Sequence, residues 1–376
     1  MIKCQEFYKA LTSEKIDFFA GVPDSLLKDF CAYLADQAAP DSHIITANEG
    51  NAVALACGYH LSTGRIGLVY MQNSGLGNAI NPLVSLADAE VYRLPVLLLI
   101  GWRGEPGGRD EPQHRKQGVV TQPLLDVLNI PFEILPADPS VAEKVIKNAI
   151  AFIKKEGKPF ALIARKSTFE KYRTRSANDN RSVLSREEAI SLIIAKLGPD
   201  DLVVATTGKT SRELFELRGK MGQGHGNDFL VIGSMGHSSQ IALGIALNQK
   251  KRQIYCLDGD GSVIMHMGAL AINGAQKAPN FKHIILNNGV HDSVGGQPTA
   301  ASGLDFPAIA FACGYKQAWQ VASKKDLSAK IDLLKGCSGP ALLEIKVKVG
   351  ARDNLGRPTI DPLTRKNRFM EKMTNA

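Results

Sequence analysis

Short runs of β-branched and aliphatic residues alternate with amphipathic stretches along nearly the whole chain, the mark of a parallel α/β architecture. In the first half these runs predict strands near 17–20, 43–46, 66–71, 95–100, 131–135 and 159–164. In the second half they fall near 201–205, 228–232, 252–257, 281–286, 316–321 and 341–347. Each half opens with an amphipathic helix, at about 3–14 and 185–197. The pattern reads as one α/β unit used twice: a domain over 1–166, a linker over 167–184, a second domain over 185–349 and a tail over 350–376. The polar run 176–181 has nothing to bury and predicts an exposed connector. Two longer loops, 101–122 and 287–303, interrupt the rhythm. Both follow the C-terminal end of a predicted strand, where open parallel sheets bind ligands. Loops of that length inside a compact domain are more often functional than not.

Composition narrows the class. Of 376 residues, 44% are apolar and 22% charged, which fits an ordinary soluble protein. The longest apolar stretch, Leu94 to Ile100, falls far short of the ~20 residues that span a bilayer. The opening residues Met1 to Glu6 lack an apolar core, so no secretion signal is expected. The six cysteines include no C-x-x-C pair, which argues against a zinc ribbon, a redox dithiol and a disulfide scaffold. The cytoplasm is the expected compartment. The net charge of +8 raises nucleic-acid binding, but the surplus is local. Residues 165–186 carry seven Lys/Arg against two acids, and 346–376 carry eight against three. Apart from Tyr172 and Phe369, neither segment interleaves stacking aromatics with its charges. A solvated linker and tail explain the surplus better than a nucleic-acid partner.

The chemistry concentrates after strand 252–257, where Asp258-Gly259-Asp260-Gly261-Ser262 leads into a helix. Gly259 and Gly261 let the backbone turn sharply and approach a phosphate. The helix N-terminus from Ser262 offers N–H groups to an anion. Asn287-Asn288-Gly289 ends the next strand, so Asp260 and Asn288 lie at neighbouring strand ends. Together they supply two hard oxygen ligands for a Mg²⁺ that also holds a diphosphate. Taken singly, each piece is also an ordinary turn.

Together, Gly259-Asp260-Gly261-Ser262 and Asn287-Asn288-Gly289 resemble the diphosphate and metal motif of thiamine-diphosphate-dependent enzymes. The resemblance covers essentially the whole chain. It implies a duplicated fold, pyrimidine-binding domain first and diphosphate-binding domain second. The short linker leaves no room for the middle domain of larger relatives. It also implies Asp260, Asn288 and the Val290 carbonyl as metal ligands, with Gly259, Gly261 and Ser262 around the cofactor. Glu49, in Asn48-Glu49-Gly50-Asn51-Ala52, is similar to the family glutamate that hydrogen-bonds pyrimidine N1′ and helps deprotonate thiazolium C2. By itself it would read as an acid at a helix start. Ser234-Met235, in Gly233-Ser234-Met235-Gly236, matches the segment whose bulky residue wedges the cofactor, against the plainer reading of Met235 as core. Asp24 and Ser25, in Gly21-Val22-Pro23-Asp24-Ser25, fall where decarboxylases of the family place polar active-site groups.

The two long loops bear on the substrate. The run 287–299 and the segments 102–106 and 110–114 resemble those of phosphonopyruvate decarboxylases, and sulfopyruvate decarboxylases carry similar loops. The resemblance implies nonoxidative decarboxylation of a small anionic 2-oxo acid, 3-phosphonopyruvate giving phosphonoacetaldehyde and CO₂. Asp24, His114, His291 and Asp292 are candidates for its proton transfers, each also readable as an ordinary surface residue. Arg103, Arg109, His114, Arg115 and Lys116, with Arg352 and Arg357, are candidates for the terminal anion. Sites in the family form between chains, so a homodimer or homotetramer is expected. Rival readings fail on residues: Gly259-x-Gly261 and Gly75-x-Gly77 lack the third glycine of a dinucleotide fingerprint, and no G-x-S-x-G elbow occurs. A non-catalytic thiamine-fold subunit would be expected to have a damaged motif, whereas Glu49, Asp260 and Asn288 are all present.

Overall fold

The computed structural model describes residues 1–174 and 182–374. The chain divides into two compact units, Met1–Ala177 and Asn178–Ala376. The connector expected at 176–181 lies outside the described residues. The first unit holds six strands, β1 (Phe19–Gly21), β2 (His43–Ile45), β3 (Gly67–Gln72), β4 (Val96–Gly101), β5 (Phe132–Ile134) and β6 (Phe160–Ala164). They form one parallel sheet in the order β2-β1-β3-β4-β6-β5. The second unit holds β7 (Leu202–Ala205), β8 (Asp228–Leu230), β9 (Ile254–Gly259), β10 (Phe281–Asn287), β11 (Gln317–Val321) and β12 (Ala341–Lys346). Read from its β8 edge, that sheet runs β8-β7-β9-β10-β12-β11. Counted within each unit, both orders are 2-1-3-4-6-5, so the duplication expected from the strand rhythm is a duplication of topology.

Central strands are buried on both faces, as parallel sheets covered by helices require. In β4, Leu97 and Leu99 enter one core while Val96, Leu98 and Ile100 enter the other. In β9, Tyr255 and Leu257 face one core and Ile254 and Cys256 the opposite one. Most positions along the central strands are apolar, with Asp258 on β9, Lys282 and His283 on β10 and Glu344 on β12 among the buried exceptions. Each of the twelve strands lies within about two residues of its expected position. β9 continues through Gly259, which places Asp260 at the first residue past the sheet.

The expected loop 101–122 is a loop only as far as Glu111. A helix, Pro112–Val127, follows, with Pro112 in its first turn. Gly118 and Pro123 read as breakers in sequence, but Pro112 has the backbone angle that starts a helix. Buried Gly118, Thr121 and Leu125 then anchor it. The ends of the expected linker are packed as well: Phe169 is buried in the first unit and Leu184 in the second. Among the described residues, no helix is long and apolar enough to cross a membrane.

The second unit opens with helix Arg186–Lys196, capped by Ser185. The Ser185 side chain accepts from Glu188 N–H, while the Glu188 carboxylate accepts from Ser185 N–H at 2.9 Å. Reciprocal caps of this kind satisfy two otherwise orphaned donors. Ser185→Ala should therefore lower unfolding stability by about 1 kcal/mol. Urea denaturation followed by circular dichroism would read this as a lower midpoint, and an unchanged midpoint would count against the cap.

Candidate active site

In the first unit, candidate groups gather along the C-terminal edge of the sheet. Glu49 follows β2 and begins helix Glu49–Thr63, behind the N-cap Asn48 whose side chain accepts from Gly50 N–H. Its carboxyl is 5% exposed. Asn78 Nδ2 donates to Glu49 Oε2 at 2.7 Å. Gly75, after β3, makes the placement possible: a Cβ there would stand 2.4 Å from Glu49 Oε1. Burial pushes the Glu49 carboxyl above its ordinary range, opposed by the Asn78 hydrogen bond.

Asp24 follows β1 and is completely buried. Its Oδ2 accepts from Leu26 N–H at 3.0 Å and lies where a Cβ on Gly101 would be, 2.0 Å away. Burial raises this carboxyl to about 6, against the lowering effect of the Leu26 N–H and the Arg103 charge. Arg103 Nη1 donates to Ser25 Oγ at 2.7 Å, so Asp24, Ser25 and Arg103 form one cluster. The rest of the Arg103 fork grips Asp110, Nε to Oδ2 at 2.8 Å and Nη2 to Oδ1 at 2.5 Å. This guanidinium holds Asp110 well below the usual carboxylate range. Arg103 thus ties down its own loop. Arg109, Arg115 and Lys116 are exposed, and His114 lies in the first turn of helix Pro112–Val127.

In the second unit, Asp260 and Asn288 emerge from neighbouring strands, in register with Leu286 opposite Gly259. Both side chains are buried. The Thr299 hydroxyl donates to Asp260 Oδ2. Burial raises the Asp260 carboxyl, with the Thr299 hydrogen bond the largest opposing influence. Val290 N–H donates to Asn288 Oδ1 at 3.1 Å, and Val290 bridges to Pro298. His291 N–H donates to Gln297 O at 2.8 Å, closing the 288–299 loop on itself. Ser262 Oγ lies 3.1 Å from Thr206 Oγ1 and accepts from Gly236 N–H at 3.0 Å, so the turn is tied to the segment carrying Ser234 and Met235. Ser234 is exposed, and Met235 is half-buried and belongs to neither core of the unit. Beneath the turn, Asp258 accepts from Gly259 N–H and faces buried His283 at 3.5 Å.

His291 packs its ring against Gly261, and burial lowers it to about 4, leaving a neutral imidazole at pH 7. Asp292 is held differently. Arg186 Nη1 donates to it at 3.0 Å, Lys209 Nζ lies at 3.3 Å and Gly350 N–H donates at 3.2 Å. Arg186 is also bidentate to buried Glu213, at 2.8 and 2.9 Å. Sequence reasoning missed this network, as it missed Asn78, Thr206 and Thr299. Arg186 and Asp292 stand 106 positions apart, and local patterns carry no trace of such pairs.

Comparison with known proteins agrees with the duplicated fold. Residues 4–125 match the family model described as thiamine pyrophosphate enzyme, N-terminal TPP binding domain. Residues 206–345 match its C-terminal TPP binding domain. A phosphonopyruvate decarboxylase of Streptomyces viridochromogenes is 34% identical, the alignment covering 100% of this chain and 96% of that protein. One from Streptomyces hygroscopicus is 35% identical, over 100% and 94%. A sulfopyruvate decarboxylase of Methanosarcina acetivorans is 26% identical, over 95% and 94%.

The Asp24 environment has a consequence for stability. Its carboxyl ionises near pH 3.8 in the unfolded chain and at about 6 when folded. As pH rises between these values the unfolded chain loses a proton that the folded one retains, so stability falls. Asp24→Asn, shaped like the protonated acid, should remove that loss. At pH 7.5 the variant should exceed the parent by up to about 3 kcal/mol, and near pH 4 the two should converge. Urea midpoints across this range test it, and parallel profiles for both proteins would contradict it.

Proposed function

The chain belongs to the thiamine pyrophosphate enzymes, and on that premise we propose that it decarboxylates 3-phosphonopyruvate to phosphonoacetaldehyde and CO₂, acting as a carbon–carbon lyase. The observation that carries the reading is end-to-end likeness, at 34 and 35% identity, to two proteins named phosphonopyruvate decarboxylases. The named sulfopyruvate decarboxylase is more distant, at 26%. A non-catalytic role is disfavoured by the intact set Glu49, Asp260 and Asn288.

The residues present fit thiamine diphosphate with Mg²⁺. Asp260, Asn288 and the Val290 carbonyl form an all-oxygen set suited to a hard cation. Open space surrounds the missing side chain of Gly259. Gly261 and Ser262 would hold the diphosphate, and Ser234 and Met235 would hold the ring system, with Met235 as the wedge. When bound, the thiazolium supplies the electron sink for loss of CO₂. The protein's share is proton management and positioning. Glu49, with a raised pKa and one oxygen held by Asn78, holds and returns a proton at pyrimidine N1′. Asp24, its carboxyl raised to about 6 and with Ser25 beside it, suits proton transfer to and from substrate near neutrality, while neutral His291, lowered to about 4, and His114 are assigned to hydrogen bonding with substrate. Asp292, neutralised by Arg186 and Lys209, is assigned to anchoring the 288–299 loop. With Arg103 committed to Asp110, exposed Arg109, Arg115 and Lys116 are the better handles for the phosphonate.

We assign the assembly to at least a homodimer, as homodimer or homotetramer, with sites completed between chains. Leu55 and Leu61 on helix Glu49–Thr63, with Val84 and Tyr92, are exposed apolar side chains of the first unit that an interface between chains would cover. The six free thiols suit the reducing cytoplasm.

Aldehyde release with thiamine diphosphate and Mg²⁺, compared across phosphonopyruvate, sulfopyruvate and pyruvate, tests the proposal. The highest kcat/KM should fall on phosphonopyruvate, and preference for the sulfonate would transfer the chain to the other activity. Two variants separate the halves of the site. Asp260→Ala should weaken Mg²⁺-dependent cofactor binding in calorimetry with the fold retained. Glu49→Gln should leave that binding largely intact while slowing hydrogen–deuterium exchange at C2 by roughly 10²–10⁴-fold. Parental exchange in Glu49→Gln would reduce Glu49 to a helix-start acid.

A further inference from the structure

Asp258 stands on β9 two residues before Asp260 and is 1% exposed. Among the described residues, no Lys or Arg pairs with it. Its Oδ1 accepts from Gly259 N–H at 3.0 Å, and its Oδ2 lies 3.5 Å from His283 Nε2. His283 is on β10, opposite Cys256 in the register, and reaches Asp258 diagonally. Its Nε2 has no hydrogen-bond partner of normal length among the described residues, so the carboxylate is what it faces. A chain of side chains continues behind the ring. His283 Nδ1 lies 3.3 Å from the Tyr315 hydroxyl, and Asn273 Nδ2 donates to that hydroxyl at 3.0 Å. Gln240 Nε2 donates to Asn273 Oδ1 at 2.8 Å and to the Ala269 carbonyl at 3.3 Å. Asn273 comes from helix Gly268–Gln276, Gln240 from helix Ser238–Asn248, and Tyr315 from the turn before β11. Asp258, His283, Tyr315 and Asn273 are each 3% exposed or less.

The polarity of this chain is fixed at both ends. The Ala269 carbonyl can only accept, so Gln240 presents its amide N–H there and gives its second hydrogen to Asn273 Oδ1. Asn273 then turns its own amide N–H to Tyr315. That hydroxyl, already accepting, gives its single hydrogen to His283 Nδ1, and the ring proton of His283 is left on Nε2, pointing at Asp258. Reversing the chain would set Gln240 Oε1 against the Ala269 carbonyl and a bare Nε2 lone pair against the carboxylate. Both are repulsions in a buried place, where they cost most. The Cys256 thiol lies within 4.8 Å of the same two groups, and burial pushes it up, so it stays protonated. With the proton on Nε2, the ring offers no lone pair for a metal among these three.

We infer that Asp258 is a positioning residue for the metal end of the cofactor site, held as an acceptor by the directed chain Gln240–Asn273–Tyr315–His283. One oxygen is on Gly259 N–H and the other under His283, so Asp258 fixes the peptide directly before Asp260 and the direction in which the Asp260 side chain leaves the strand. Groups behind a metal ligand that orient it in this way are worth roughly 10–100-fold in metal affinity. This role rests on Asp260 and Asn288 being the Mg²⁺ ligands, and not on which 2-oxo acid is decarboxylated.

The test uses the full chain with excess thiamine diphosphate. Calorimetry reads the Mg²⁺ affinity, melting reads Tm, and hydrogen–deuterium exchange at cofactor C2 is followed at saturating Mg²⁺. Asp258→Asn keeps the shape but turns a donor N–H toward His283. It should weaken Mg²⁺ binding by roughly 10–100-fold, while exchange at saturation stays close to the parent's. Tyr315→Phe removes the hydrogen that sets the His283 tautomer and should weaken Mg²⁺ binding by roughly 2- to 13-fold, the range for one neutral hydrogen bond. Added to Asp258→Asn, Tyr315→Phe should cost no further affinity, because the chain is already broken. Ile254→Val thins the same core at the other end of β9, so it should lower Tm as Tyr315→Phe does yet leave Mg²⁺ affinity at the parental value. Parental affinity in either single variant, additive losses in the double variant, or a comparable loss in Ile254→Val overturns the positioning role and leaves Asp260 as a ligand. Parental affinity in Asp260→Ala overturns the ligand reading and the positioning role together. Should Asp258→Asn fail to fold, the contrast of Tyr315→Phe with Ile254→Val decides alone.

Discussion

Three carboxyls at strand ends are buried against neutral hydrogen-bond donors, and the chemistry proposed for this protein depends on that arrangement. Glu49 is held by the Asn78 amide, Asp260 by the Thr299 hydroxyl and Asp24 by the Leu26 N–H. In each, burial is the largest influence and raises the pKa. A neutral donor fixes the geometry of a carboxyl without cancelling its charge, so the group stays available for a proton or a metal. Other carboxylates pair with guanidinium groups: Asp110 with Arg103, and Glu213 and Asp292 with Arg186. The Arg103 guanidinium holds Asp110 well below the usual carboxylate range, whereas burial still raises Glu213 against the opposing Arg186.

The sheets explain why these groups stand where they do. The central strands are apolar along most of their length, and helices cover them on both faces. Chemistry is therefore pushed to the C-terminal edges, where β1, β2 and β3 deliver Asp24, Glu49 and Asn78 in one unit. In the other, β9 and β10 deliver Asp260 and Asn288. Close approach there depends on residues without a side chain. Gly75 admits Glu49 and Gly101 admits Asp24, so a burial that would otherwise clash becomes a fitted contact.

Much of this was legible in the order of residues. Twelve largely apolar runs mark twelve strands because the central strands are buried on both faces and the edge strands β2, β5 and β11 still bury part of their surface. Asp260, Asn288 and Glu49 stand out because tight turns need particular residues at fixed offsets, and those requirements are local. The helix Pro112–Val127 was hidden by Gly118 and Pro123, whose local preferences yielded to burial of Thr121 and Leu125.

Tertiary structure alone decided the partners. Asn78 reaches Glu49 across 29 positions, Ser25 meets Arg103 across 78, and Arg186 meets Asp292 across 106. Arg103, a candidate anion handle by its sequence, places its fork on Asp110, and Asp292, a candidate for proton transfer, meets Arg186 and Lys209. Backbone preference and hydrophobic periodicity act over a few residues, and the sequence states them directly. The charge state and availability of a side chain depend on burial and on neighbours brought from elsewhere in the chain, and those exist only once the chain has folded.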